Sequence, residues 1–175
     1  MSANIDQELA GSLRLERAKD KTAIDTLMAV AFGKPRHSRS VRHLRLCAPV
    51  AGLCFVIEHN GLLVGSIRYW PILVAGKKQL LLGPLAVDPE FAGRGYGKAL
   101  VSHSLDIASQ LDYDFALISG EADYYPRFGF VPASFKQFLW PGFIEPERLQ
   151  IKWFHASDDK AVKPTNISAI LPITS

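Results

Sequence analysis

The sequence predicts a mixed α/β domain of the α+β-like kind, and three observations carry that prediction. Two apolar runs, Leu53 to Glu58 and Leu62 to Trp70, are joined through His59-Asn60-Gly61, whose Asn-Gly pair suits the positive φ angles of a tight antiparallel hairpin. A glycine cluster, Gly93-Arg94-Gly95-Tyr96-Gly97, stands between a strand-like run, Gln79 to Val87, and a broad amphipathic stripe. A further apolar run, Phe115 to Ser119, follows that stripe, and an ordinary right-handed crossover makes it parallel to Gln79–Val87. The 175 residues are near the roughly 150 expected per domain, so one core is expected.

The elements follow in order. From Ser12 to Arg17 charged and apolar side chains alternate, as in a short strand with one wet face. Asp20 stands as an N-cap, and Ile24, Leu27, Met28 and Ala31 recur at helical spacing until Gly33 and Pro35 stop the run. The stretch Lys34 to Arg45 is dense in Lys, Arg and His, and with Val41, Leu44 and Leu46 as its apolar members it reads as a second, basic helix. The hairpin comes next, then a break at Pro71, a Gly76-Lys77-Lys78 turn and the strand Gln79–Val87, which together make a three-strand meander. A helix from about Tyr96 to Leu111 carries Leu100, Ile107 and Leu111 on one face, widened by Val101, Leu105 and Ala108. Phe135 to Trp140 and Gln150 to His155 are two more strands around a Pro141-Gly142 turn. Residues 1–155 thus form one domain. The composition turns polar from Ala156, so 156–175 is read as a tail, with Ile167, Ile170 and Leu171 as a candidate cover for a second copy in a homodimer.

Composition narrows the classes. Hydrophobic residues at 48% and charged residues at 21% are globular proportions, against disorder. Lys and Arg exceed Asp and Glu by 20 to 17, and this +3 marks no nucleic-acid binder. Cys47 and Cys54 are read as buried thiols, since no metal-ligand spacing surrounds them. Residues 1–20 carry charges where a signal peptide needs an apolar core, and no run approaches the ~18 apolar residues of a membrane span, so a cytoplasmic protein is expected. No repeat of 20 to 50 residues is visible.

The glycine turn is the most informative segment. Three alternate glycines between a strand and a helix free backbone N–H groups to converge, and the helix adds its unpaired first-turn donors and positive dipole end. Such a turn suits a phosphate or pyrophosphate, with Arg94 and Lys98 adding charge; tight strand–helix packing is the plainer use of the same glycines. A Walker loop fails here, because Ala92 occupies its first glycine and Lys98 is followed by Ala99. A dinucleotide fingerprint fails as well, since its third glycine would fall on Lys98.

The segment from Ala92 to Gly97 resembles motif A of the Gcn5-related N-acetyltransferase (GNAT) superfamily, Arg/Gln-x-x-Gly-x-Gly/Ala, with Gly95 and Gly97 in its small-residue places. The resemblance extends back through Leu85-Ala86-Val87-Asp88-Pro89 and forward to Tyr124-Tyr125-Pro126-Arg127-Phe128-Gly129-Phe130, which is similar to motif B. It covers about residues 12–155 and is strongest toward small uncharacterised bacterial members with a Tyr-Tyr-x-Arg-Phe-Gly-Phe segment. Ala92 departs from the usual Arg or Gln, a modest loss where backbone N–H groups do the holding.

The resemblance implies a twisted, mostly antiparallel sheet with one splayed parallel strand pair and flanking helices, and acetyl-CoA as cosubstrate. It implies a cofactor site of Leu85, Ala86, Val87, Ala92, Gly93, Arg94, Gly95, Tyr96, Gly97 and Lys98, with the main chains of Leu85 and Val87 on the pantetheine arm and the Leu85 N–H on the thioester carbonyl. Gly83-Pro84 suits the strand bulge that such a site needs, because neither residue supports a regular ladder. Direct attack by an amine of a small molecule or protein, with no covalent cysteine, is the implied reaction. Tyr125, four residues before Gly129, matches the position of the acid that protonates the thiolate, and Tyr124 is the neighbour that packs. No acceptor of the amine proton lies on the strand itself; Glu121, Asp123 or a water chain are the alternatives, and His103 reads as solvated. The basic stretch Lys34 to Arg45 is either a cationic wall for an anionic acceptor or a wet helix face, and Arg68, Trp70 and Trp140 are placed in the same cleft. A non-catalytic acyl-CoA-sensing module and a nucleotide-dependent enzyme are the rival readings.

Overall fold

In this computed structural model residues 13–33, 40–134, 137–155 and 165–171 are described. The strands are β1 (Leu13–Leu15), β2 (Phe55–His59), β3 (Leu62–Val74), β4 (Lys77–Val87), β5 (Phe115–Ser119), β6 (Val131–Pro132), β7 (Phe138–Leu139), β8 (Leu149–Trp153) and β9 (Thr165–Ala169). Two α-helices, α1 (Lys21–Phe32) and α2 (Tyr96–Ala108), flank them. The sheet order is β1-β2-β3-β4-β5-β8-β6, all antiparallel except β4–β5, with β9 also on β3 and β7 parallel to β9. Among the described residues no helix is long and apolar enough to cross a membrane.

The central strands are apolar on both faces because both are covered. Leu80 and Leu82 of β4 join Tyr69, Leu100, Val101 and Ile118 in a core that includes α2. Leu81, between them, faces a second core with Ile72, Leu117, Leu149 and Ile151. The Tyr69 hydroxyl, deep in the first core, pairs with Ser104 Oγ at 2.9 Å, and burial pushes its pKa well up.

Several elements differ from the sequence reading, each for a physical reason. Asp20 does not cap α1 with its side chain; Oδ2 instead accepts from the Arg17 N–H and from Arg14 Nη1, both at 2.7 Å, and Arg14 also reaches Glu58. The hairpin strand does not stop at Pro71. It runs to Val74, because among the described residues no strand pairs with that edge of β3 between Ile67 and Ile72, where a missing N–H breaks no ladder. The following turn is Ala75–Gly76, with φ of 51° and 76°, rather than Gly76–Lys78. Of the predicted basic helix, residues 34–39 lie outside the described residues and Ser40–Leu44 form a 3-10 turn anchored by buried Leu44. Of Phe135–Trp140, only Phe138–Leu139 are a strand, and residues 135–136 lie outside the described residues.

The largest correction concerns residues 156–175. Thr165–Ala169 are no tail: Ile72 pairs with Ala169 and Val74 with Ile167, filling the edge of β3 that β2 leaves vacant. Ile167 is buried there, so it covers the protein's own sheet and not a second copy. Both cysteines are free, but only Cys54 is buried, its pKa pushed up to about 11 by desolvation; Cys47 is half-buried.

Candidate active site

The site begins where β4 and β5 part. They pair only at Leu80–Ala116 and Leu81–Leu117, although β4 continues to Val87 and β5 to Ser119. The break coincides with Gly83-Pro84. On the other edge of β4 the register jumps there too, Ile67 facing Leu85 but Tyr69 facing Leu82, so β4 has one residue more than β3 across the bulge. Leu82, Gly83, Pro84 and Leu85 on one side and Ile118, Ser119 and Gly120 on the other border a cavity of about 950 Å³.

Beyond Val87 the chain turns at Asp88, whose Oδ1 accepts from the Glu90 N–H at 2.9 Å, and enters the glycine turn. Gly93 and Gly95 have φ of 76° and 88°, in the region that favours glycine, and Gly95 is the N-cap of α2. With no side chain at that cap, the first-turn N–H groups of Tyr96, Gly97 and Lys98 have no intrahelical acceptor and point out of the helix end. A β-carbon on Gly93 would meet nothing within 4 Å, so the turn is open at that position. Arg94 lies over the Phe91 ring at 4.9 Å. Tyr96 is buried, its hydroxyl 2.6 Å from His59 Nδ1, which anchors the helix end to the β2–β3 hairpin.

The two tyrosines separate by environment. Tyr125 is buried in the first core against Phe130 and yet borders the cavity; desolvation raises its pKa well above the usual phenol value, reinforced by Tyr124 and Glu121. Gly120 makes room for it, because a β-carbon there would stand 2.6 Å from Tyr125 Cδ2 and closer still to Cε2. Tyr124 is half-buried, under the Arg127 guanidinium at 4.7 Å, with its pKa raised by burial. Its hydroxyl ends 2.8 Å from where a β-carbon on Gly97 would sit. Gly97 therefore serves at least the close approach of Tyr124 to α2.

Of the predicted base candidates, Glu121 borders the cavity with Oε1 taken by Arg148 Nη1 at 2.7 Å, while Asp123 is exposed and is not among the cavity's lining residues. His103 is exposed, edge-on to Phe55. Three residues placed in the cleft by the sequence are not there. Arg68 is bound to Glu16 by two hydrogen bonds of 2.8 and 2.6 Å beside α1, and Trp70 and Trp140 pack in the second core. Leu85 borders the cavity, Ala86 is buried and Val87 half-buried, whereas Ala92, Arg94 and Lys98 are exposed around the turn. Sequence reasoning missed Gly120, Phe143, Ile144 and Arg148, which no local pattern marks, and it named Arg45 only as part of a basic stretch.

A strand pair parted by a bulge and bordering a cavity, followed by a glycine turn into an open helix N-terminus, is the arrangement to be identified. The comparisons name it. A family model described as the acetyltransferase (GNAT) family matches residues 21–130, and the chain belongs to that family. It is 28% identical over 134 residues to the uncharacterized N-acetyltransferase YhbS of Escherichia coli (strain K12), covering 74% of this chain and 80% of YhbS. The crystal structure of E. coli YhbS in complex with CoA is similar with a TM-score of 0.72 at 24% identity, covering 90% of this chain and 88% of that one. A GNAT acetyltransferase from Brucella melitensis in complex with acetyl-CoA has a TM-score of 0.63 at 22% identity, covering 90% and 94%. By class the chain is an acyl-CoA-dependent N-acetyltransferase acting on an amine.

Proposed function

We propose that the chain moves the acetyl group of acetyl-CoA directly to an amine, with the donor in the β4–β5 opening and the acceptor in the cavity of about 950 Å³. The observation that carries this reading is the conjunction of three features on and beside β4. The glycine turn at Gly93–Gly97 follows the end of that strand, the bulge at Gly83-Pro84 interrupts it where β5 leaves, and the buried Tyr125 borders the same cavity as the bulge. Backbone N–H groups of Gly93 to Lys98 hold the pyrophosphate, supplemented by the helix dipole. The main chains of Leu85 and Val87, on the edge that β5 has left, receive the pantetheine arm, and Ala86 fixes that edge by its burial.

Acetyl-CoA supplies a thioester carbonyl carbon, to which the amine nitrogen bonds as the carbon–sulfur bond breaks. The Leu85 N–H donates to the carbonyl oxygen where negative charge develops. The Tyr125 hydroxyl gives its proton to the departing sulfur; its raised pKa keeps it protonated throughout the neutral range. The proton lost by the nitrogen leaves through Glu121, which keeps one carboxylate oxygen beyond its pair with Arg148, or through water. The test is thiol release from acetyl-CoA across a panel of amines, alongside calorimetric binding of CoA. CoA binding with no amine raising thiol release above hydrolysis would leave a binding module in place of an enzyme.

A further inference from the structure

We propose that Arg127 takes the 3′-phosphate that coenzyme A carries on its ribose, so that the donor site reads a further phosphate beyond the pyrophosphate. This rests on the donor being seated along β4 as proposed above, but it draws on a side chain that the transfer step leaves unused. Arg127 lies in the 3-10 turn Tyr125–Phe128. Its Nε donates to the Tyr124 carbonyl at 2.9 Å, and its guanidinium lies over the Tyr124 ring at 4.7 Å. The ring beneath it joins two places on the donor's path. Tyr124 borders the cavity, and its hydroxyl ends 2.8 Å from where a β-carbon on Gly97 would sit, in the first turn of α2. One tyrosine ring thus separates an exposed guanidinium from the open N–H groups of the helix end.

The state of this guanidinium fits a phosphate. Nε is used within the turn and the plane is set by the ring, so the side chain is held in place while its terminal N–H groups have no acceptor among the described residues. Such a fork matches two oxygens of one phosphate, and holding it beforehand lowers the ordering cost of binding. The acidic groups nearest in the chain do not answer it. Glu121 is taken by Arg148 at 2.7 Å, and Asp123 forms no ion pair among the described residues. Cations gather instead. Arg94 and Lys98 are exposed around the glycine turn, and Lys152 Nζ lies 2.7 Å from where a β-carbon on Gly129 would sit, at the cap of the Arg127 turn. Among the described residues none of Arg94, Lys98, Arg127 and Lys152 has a carboxylate partner, whereas Arg14, Arg68, Lys77 and Arg148 each have one. Position then singles out Arg127. Arg94 and Lys98 belong to the turn that receives the pyrophosphate, and Lys152 is half-buried against Gly129. Arg127 is set off from the turn by the length of a ring, as a phosphate separated from the pyrophosphate by a ribose requires.

Truncating the ligand tests this without touching the protein. Calorimetry on the wild type at low ionic strength compares CoA with 3′-dephospho-CoA, which keeps the pyrophosphate, the pantetheine arm and the thiol. CoA is expected to bind about tenfold more tightly, the size of one charge-assisted fork, and roughly 0.5 M salt should shrink that ratio. In Arg127→Gln the ratio is expected to fall to about twofold, the residue of the surrounding positive field, through loss of CoA affinity alone. Arg94→Gln should instead weaken both ligands alike and leave the ratio where it was. Equal wild-type affinities for the two ligands overturn the proposal, as does a ratio unchanged in Arg127→Gln. A loss in Arg127→Gln that is equal for both ligands overturns it too and assigns the guanidinium to the pyrophosphate. A ratio that collapses in Arg94→Gln alone moves the 3′-phosphate to the glycine turn. If neither ligand binds the wild type, the donor site itself falls with Arg127. CoA bound without preference over its truncated form leaves the donor site standing and removes only the role of Arg127.

Discussion

The two ends of the β4–β5 opening are built by different means. At the α2 end the donors are main-chain N–H groups of consecutive residues, Gly93 to Lys98, and their aim is set by two glycines at positive φ. At the other end the cavity is assembled from side chains of α1, the turn at 40–45, the end of β5 and the loop 143–148. A backbone site is local, so a single position controls all of it. A side-chain site is distributed, so most single changes trim it.

The sharpest way to break that contrast is at Gly95. Valine there must adopt a φ of 88°, which a β-branched residue avoids, and the N–H groups that follow must swing to relieve it. Gly95→Val is expected to weaken CoA by on the order of 100-fold, the loss of two or more charge-assisted hydrogen bonds. Calorimetry showing affinity within threefold of wild type would mean that the turn does not hold the phosphates. Tyr125 comes next. Tyr125→Phe should lower kcat by about 50-fold, within the lower range for a lost general acid, while CoA affinity changes little. Its pH dependence has a definite sign: the pKa is raised by burial, so the protonated, active form persists through neutrality and is lost only as pH rises past that raised value. An alkaline decline in kcat near pH 8 that survives in the phenylalanine variant belongs to some other group.

The third effect is smaller and lies on the acceptor side. Arg14 grips Asp20 at the start of α1 and holds its carboxyl down to about 2, so α1, whose far end carries Met28 and Phe32, is fixed at its root. A depressed carboxyl stabilises the fold fully above its ordinary pKa, and that contribution is lost as pH falls through about 2. Asp20→Asn is expected to cost about 1–2 kcal/mol by urea denaturation at pH 7 and to flatten the acid limb of the stability profile. It should raise the acceptor KM more than that for acetyl-CoA. The opposite order would tie α1 to the donor end.

The same contrast governs what the sequence discloses. The hairpin at Asn60-Gly61, the bulge at Gly83-Pro84 and the glycine turn are readable because each is a backbone demand met by neighbouring residues, whereas the Tyr124-Tyr125 pair stands out only by its resemblance to motif B. Arg68 and Trp70 look equally suitable for a cleft, since alternation along a strand assigns faces but not neighbours. Only the fold reveals that Glu16, from a segment 52 residues away, claims Arg68. Gly120 is silent in the sequence for the same reason, its purpose being the ring of Tyr125 folded back against it. Strand β9 was unreadable because five residues in a polar context gain a sheet only from the vacant edge of β3.

The mildest test asks whether charge or backbone holds the phosphates. Lys98 is exposed in the first turn of α2, with its N–H among the open donors and its ammonium free to sweep solvent. Lys98→Ala keeps the N–H and removes the ammonium, so the two contributions separate in one substitution. An exposed cation near bound phosphate contributes about 0.3–1 kcal/mol and is screened by salt, which predicts a loss of about two- to fivefold in CoA affinity at low ionic strength. Above roughly 0.5 M salt, where the screening length falls to a few ångströms, the variant and wild type should converge. A loss that reaches the size of the Gly95→Val effect, or that persists at high salt, would make the donor end a side-chain site like the acceptor end. The reason Ala92 suffices where the motif that this segment resembles has Arg or Gln would then vanish as well, because Ala92 suffices only if the main chain carries the grip.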